Sequence, residues 1–143
     1  MKKIIVMILA TIILTSCAGL KEEKAKPAQT EAEPSTEKLI TLTSPRANEE
    51  VQSPFIITGK AKGNWFFEGS FPVVLTNADG LTITETIATA KGNWMTESYV
   101  DFEANVNFIS TDTNKKGTLI LKKDNPSGLP ENDMALEIPV ILK

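Results

Sequence analysis

The chain has 143 residues, one cysteine, no histidine, and 18 acidic against 15 basic side chains. Without histidine and with a single thiol it holds no Ser-His-Asp or Cys-His nucleophile system, and no zinc site built on those ligands. Its negative balance lacks the basic stripe that nucleic-acid binding uses to neutralise phosphates.

The first feature in chain order is a leader. Lys2 and Lys3 precede an almost wholly apolar run, Ile4 to Leu14. That length fits a signal-peptide core and falls short of the roughly 20 residues a membrane-spanning helix needs. Leu14-Thr15-Ser16 then places small residues before Cys17. The pattern resembles the lipobox of bacterial lipoproteins: a branched apolar residue, two small ones, and the cysteine that carries lipid on sulfur. The resemblance implies that residues 1–16 are a leader removed on export, and that acyl chains such as palmitate anchor the protein through Cys17. An ordinary secretory leader with a chance cysteine, or an uncleaved anchor, is the plainer alternative. Leader length, charge and cysteine position favour the lipid, and each buried methylene adds about 0.8 kcal/mol, so two or three chains anchor stably. Ala18 follows Cys17, not the Asp that resembles an inner-membrane retention signal, which leaves the cell surface or the outer membrane as the expected location.

With Lys2 and Lys3 removed, 13 basic residues face 18 acidic ones, a formal charge of −5. That charge gives no attraction to an anionic lipid surface, so the acyl chains supply the membrane contact. Residues 17–38 form the expected tether. Its core, KEEKAKPAQTEAEPSTEK, has no large apolar residue, and Pro27 and Pro34 interrupt any helix. About 18 such residues reach roughly 25 Å.

Residues 39–143 read as strands and turns. Leu39–Thr43 is a first strand ending at Ser44-Pro45, and Pro54–Gly59 a second ended by its glycine. Pro72–Asn77 is followed by the turn Ala78-Asp79-Gly80 and by Leu81–Thr89, where Leu81, Ile83 and Glu85 share one parity and threonines the other. Phe102, Ala104, Val106 and Phe108 alternate with polar residues, the mark of a strand with one wet face. Asn114–Gly117 turns into Thr118–Lys122, and Asn125–Pro130 is a Pro/Gly loop. Leu136, Ile138, Val140 and Leu142 close the chain as a strand in which Pro139 implies an edge or an outward-turned position. About seven short strands and no amphipathic helix predict an all-β fold, an antiparallel immunoglobulin-like β-sandwich without the usual Cys-Trp-Cys core.

Ser44-Pro45, Val51–Gly59, Gly63-Asn64-Trp65-Phe66-Phe67-Glu68, Phe71-Pro72-Val73, Asp79-Gly80, Trp94-Met95-Thr96 and Glu137–Val140 carry a resemblance over nearly all of residues 39–143. Together they resemble the immunoglobulin-like domain of bacterial spore-germination proteins. That resemblance implies an adhesive or assembly role on the cell envelope and offers no catalytic residue to carry over.

Several constellations invite a function. Lys62-Gly63-Asn64-Trp65 recurs as Lys91-Gly92-Asn93-Trp94. The two tryptophans, with Phe66 and Phe67, form a candidate aromatic binding surface; the competing reading is a glycine turn leading into core tryptophan. Glu68, Glu97, Asp101 and Glu103 are candidates for a glycosidase carboxylate pair, which requires about 5–9.5 Å between groups, or are plain solvated strand residues. Asp112, Asn114, Asp124, Asn125, Glu131, Asn132 and Asp133 do not fit the fixed offsets of a calcium loop, and turns use such residues anyway. Thr82, Thr84, Thr86 and Thr89 suit a strand as well as a ligand. No cofactor, metal site or catalytic group is expected. The expected function is a lipid-anchored module binding another envelope component, protein before polysaccharide. A passive structural subunit and a carboxylate-dependent glycan hydrolase are the alternatives.

Overall fold

The computed structural model of the protein describes Thr36, residues 39–109 and residues 115–143. The leader over 1–16, Cys17 and, Thr36 apart, the tether over 17–38 lie outside the described residues, as do Asp112 and Asn114.

Eight strands carry the fold: β1 (Ile40–Ser44), β2 (Glu50–Val51), β3 (Phe55–Lys62), β4 (Ser70–Asn77), β5 (Thr82–Ala90), β6 (Tyr99–Val106), β7 (Lys116–Lys122) and β8 (Ala135–Leu142). They join in one sheet of order β1-β3-β6-β5-β4-β7-β8-β2. Every pair is antiparallel except β2 with β8, so the sheet is mixed. The β3–β6 ladder runs from Phe55↔Val106 to Lys62↔Tyr99, and the β7–β8 ladder from Lys116↔Ile141 to Lys122↔Ala135. By contrast β5 meets β6 only at Thr89↔Glu103 and Ala90↔Phe102, with the Thr86 hydroxyl donating to the Asn105 carbonyl at 3.1 Å. The sheet curls about this short seam, and both of its halves bury the same core.

Alternation decides which side faces that core. In β6, Val100, Phe102, Ala104 and Val106 are buried, while Tyr99, Asp101 and Asn105 face water. In β4 the inward set is Phe71, Val73 and Leu75, and in β7 Leu119 and Leu121. Phe71 bridges the halves, with its ring centroid 4.9 Å from Phe102 and 5.3 Å from Phe66. Rings at such spacing and tilt add about 0.5–1.5 kcal/mol per pair beyond area burial.

At four places the structure corrects or completes the sequence reading. Gly59 does not end the second strand; β3 continues to Lys62 because Gly59 is where the Phe102 ring and the Thr41 carbonyl pack onto bare backbone. Next, β5 buries Ala88 and turns Glu85 and Ile87 to solvent, because a register shift between Leu75 and Thr76 breaks the parity from Leu81. The two-residue β2 was not foreseen, being too short to show a pattern. Finally, β8 lies between β7 and β2, so it is an edge only where β2 does not cover it. At the covered end the Ile141 and Lys143 N–H groups donate to the Glu49 and Val51 carbonyls, and two-residue alternation places Pro139 on that same side. Its missing N–H costs no ladder bond, and its carbonyl accepts from the Asn48 N–H at 2.7 Å.

Two hairpins show local chemistry fixing the register. Phe67 and Ser70 exchange backbone hydrogen bonds of 3.0 Å across Glu68 and Gly69, whose φ values of 51° and 77° make a type I′ turn. Between β4 and β5, the Asn77 side-chain oxygen accepts from the N–H groups of Asp79 and Leu81, and Gly80 takes φ 78°.

Candidate functional site

The two Lys-Gly-Asn-Trp copies meet in space but differ in what they do. In the first, Gly63–Trp65 forms a 3₁₀ turn leaving β3, and Trp65 drops into the core with no exposed surface. Its ring stands edge-on to Phe71 at 6.3 Å. The indole N–H finds no acceptor among the described residues, so what Trp65 supplies is volume. The second copy lies on the irregular loop between β5 and β6. There Trp94 is half-buried, with its indole against the Cα of Gly69; a Cβ on Gly69 would sit 3.2 Å from the ring. A Cβ on Gly63 would lie 1.9 Å from the Thr96 carbonyl oxygen and 2.3 Å from that of Trp94. The first copy's glycine is therefore the floor on which the second copy's loop rests.

Of the four residues proposed as a binding surface, Trp65 and Phe66 are core and unavailable to a ligand; Phe67, 43 % exposed, and Trp94 keep surface. Side chains the sequence did not single out join them. Met95, beside Trp94, is 74 % exposed. Tyr99 is half-exposed with the Lys62 ammonium 4.3 Å from its ring centroid, and Leu129 tips the loop between β7 and β8. All three loops, 62–69, 91–98 and 123–134, share one end of the domain. Asp124 N–H donates to the Trp65 carbonyl at 3.1 Å and Ala90 N–H to the Gly69 carbonyl at 2.8 Å. A single exposed Met or Leu carries no periodic signal, so only the fold gathers these tips.

The carboxylate candidates disperse. Asp101 pairs with Lys60 at 3.4 Å and Glu103 with Lys91 at 3.2 Å, both on solvent-exposed side chains; Glu68 sits in the type I′ turn and Glu97 on the 91–98 loop. A hollow between Asn48, Ala78, Lys116, Thr118, Pro139 and Ile141 is lined by no carboxylate. Among the described residues no three His, Cys, Asp or Glu groups gather as metal ligands. Several of the calcium candidates instead hold their own loop. Asn125 donates to the Leu129 carbonyl at 2.8 Å and to Asp133 at 2.7 Å, and Asn132 donates to Ser127 at 3.0 Å. Thr86 spends its hydroxyl on the β5–β6 seam.

The two outer faces of the sheet differ. Outside β3 and β6 lie Thr58, Lys60, Lys62, Asp101, Glu103 and Asn105, knitted by ion pairs and the Lys62–Tyr99 contact, with Ile56 the exception. Outside β5, β4, β7 and β8 the register places Ile87 opposite Pro72, and Val74 between Glu85 and Ile120, with Pro139 and Ile141 toward β8. This face has an apolar centre and charges at its rim, from Glu85, Glu137, Lys116 and Lys122. Ile87 is its most exposed apolar member, at 62 %.

Residues 39–128, from just before β1 into the 123–134 loop, match the immunoglobulin-like domain of bacterial spore germination. The chain belongs to that family. Comparison with curated proteins and with solved structures gives no match. For this immunoglobulin-like chain the match takes in β1 to β7, the aromatic cluster and both Trp loops. It stops before β8, whose Glu137–Val140 the sequence had included in the resemblance.

Proposed function

We propose that this immunoglobulin-like chain is a non-catalytic extracytoplasmic binding module, held to a bacterial membrane by lipid on Cys17, that engages another envelope component, protein before polysaccharide. Its curled sheet is the two-layer sandwich of the immunoglobulin type, with β1-β3-β6 as one layer and β5-β4-β7-β8-β2 as the other. The observation that carries this reading is the contrast between the outer faces. One is a polar strand surface; the other sets Pro72 and Ile120 around a buried Val74, with exposed Ile87 beside Pro72 and charged residues flanking them, the anatomy of a protein interface. The open stretch of β8 from Ala135 to Glu137 adjoins that face and offers backbone groups for strand addition. Nothing in the dispersed, ion-paired carboxylates favours hydrolysis.

A photoreactive residue at position 87, compared with one at position 101 on the other face, tests the reading in the native cell. The same protein captured from position 87 and from position 120, absent from 101, and lost from position 120 on Ile87→Asp, supports it. The burial of Trp65 and Phe66 favours the second reading, a passive structural subunit. Equal or absent capture from both faces, in protein that still fractionates with membrane, would leave that reading standing. A Cys17→Ser form released from the membrane identifies the anchor separately.

A further inference from the structure

We propose that the loop end of the domain docks into the headgroup–acyl boundary of the bilayer that anchors it, so that the domain stands end-on with its apolar sheet face turned sideways. The inference rests on the anchored reading above, and goes beyond it by naming a second membrane contact. Exposed apolar groups occur at both ends of the domain: Phe67, Met95, Tyr99 and Leu129 at one, Leu81 and Ile109 at the other. Exposure alone therefore does not choose between them. The path of the chain does. The Leu39 carbonyl accepts from the Lys62 N–H at 2.7 Å, and Leu39, Lys62, Asn64, Thr96 and Glu97 line one hollow, so the polypeptide from Cys17 enters the domain among the loop tips.

The length of that connection sets the affinity required. A spacer of about 20 residues has an r.m.s. span of roughly 25 Å, against a radius of gyration near 13 Å for a domain of about 100 residues. An anchored loop end thus meets the bilayer at an effective concentration of the millimolar order, and a contact too weak to hold a free protein suffices. The side chains suit that boundary. Trp94 and Tyr99 are amphipathic rings of the kind that settle at membrane interfaces, and Met95 and Phe67 are apolar groups presented on turns. The loops hold Lys62, Lys91 and Lys123 against Glu68, Glu97, Asp124, Glu131 and Asp133, an acidic balance. The docking is therefore apolar, and anionic lipid opposes it until salt screens the repulsion.

Cys17 is the only cysteine, which gives a direct test on the full chain. The thiol is coupled to a maleimide phospholipid in phosphatidylcholine vesicles, with and without phosphatidylglycerol, containing lipid spin-labelled near the headgroup. Trp94 reports depth, while Trp65 is sealed in the core and supplies a constant background. The expected result is quenching by the shallow label in phosphatidylcholine, unchanged there by salt, weakened by phosphatidylglycerol at low salt, reduced several-fold in Phe67→Asp/Met95→Asp and retained in Leu81→Asp. No quenching in the coupled wild-type chain, or equal quenching in the double variant, overturns the docking. The anchor is judged apart from this, by the mass of the protein isolated from its own cells. A free Cys17 thiol behind an uncleaved leader there refutes the anchored reading without touching the vesicle result.

Discussion

Gly63 and Gly92 occupy the same place in two identical tetrapeptides, and the structure predicts opposite responses to alanine. A Cβ on Gly63 falls 1.9 Å from the Thr96 oxygen, 2.3 Å from the Trp94 oxygen and 2.9 Å from the Thr96 carbonyl carbon. Unstrained contact needs about 3.5 Å, so the 94–96 backbone must retreat by roughly 1.5 Å. It has little freedom to do so. The Thr96 N–H is bonded to the Trp94 carbonyl at 2.8 Å, Asn93 holds the Met95 N–H, and Thr96 holds the Ser98 N–H. Overpacking costs about 1–3 kcal/mol, and clashes with fixed backbone belong at the top of that range. At 4–8 °C per kcal/mol for a domain near this size, Gly63→Ala lowers the melting temperature by on the order of 15 °C. Around Gly92 there is no atom within 4 Å of the added carbon and no positive φ, so Gly92→Ala is neutral or stabilises by up to about 1 kcal/mol through the unfolded chain. Thermal unfolding of the two variants by circular dichroism decides the matter. Equal losses, or a tolerant Gly63, refute the claim that the first copy is the floor of the second.

The type I′ turn places Glu68 at φ 51°, a region where Asn is more at ease, so Glu68→Asn should stabilise by about 0.5–1 kcal/mol in urea unfolding. Phe71→Ala removes the ring shared by Trp65, Phe66 and Phe102 and should cost about 3–5 kcal/mol in the same assay, much of a small domain's margin. Asn77→Ala frees two backbone N–H groups in the β4–β5 hairpin; a loss of about 1–2 kcal/mol is expected, with faster amide exchange at Asp79 and Leu81. Asp101→Asn breaks an exposed pair with Lys60 and should move stability by less than about 0.5 kcal/mol, an effect that salt also erases.

Strand alternation made most of the fold legible, because burial on one face of a sheet imposes a period of two on the residues themselves. Phe102, Ala104 and Val106 read correctly, and so did the turn at Asp79-Gly80. Where the reading failed, tertiary contacts had overridden local pattern. Gly59 looks like a terminator in isolation and is a strand residue because of a ring arriving from residue 102. Similarly, one slipped pairing between Leu75 and Thr76 splits the parity of β5, so that Ile83 packs against the core while Glu85 and Ile87 face solvent. The candidate site was the least legible part. Tandem Trp motifs are indistinguishable in sequence, while their burial differs because one lies on a turn into the core and the other on a loop over it. The loop tips Met95 and Leu129 come to the same end of the domain only through tertiary pairing, the β3–β6 ladder and the Asp124 N–H bond to the Trp65 carbonyl.

The pairing of the first strands has a mechanical side. A pull arriving through Leu39 runs along β1, whose hydrogen bonds to β3 stand perpendicular to the strand, so several must slide together before β1 leaves. Beyond it, β2 is fastened parallel to β8 by bonds from Ile141 and Lys143, a second latch between the two ends of the domain. A load delivered at the chain's leading end is thus borne in shear by two separated ladders, an arrangement that resists tearing where unzipping from a free end would yield one bond at a time.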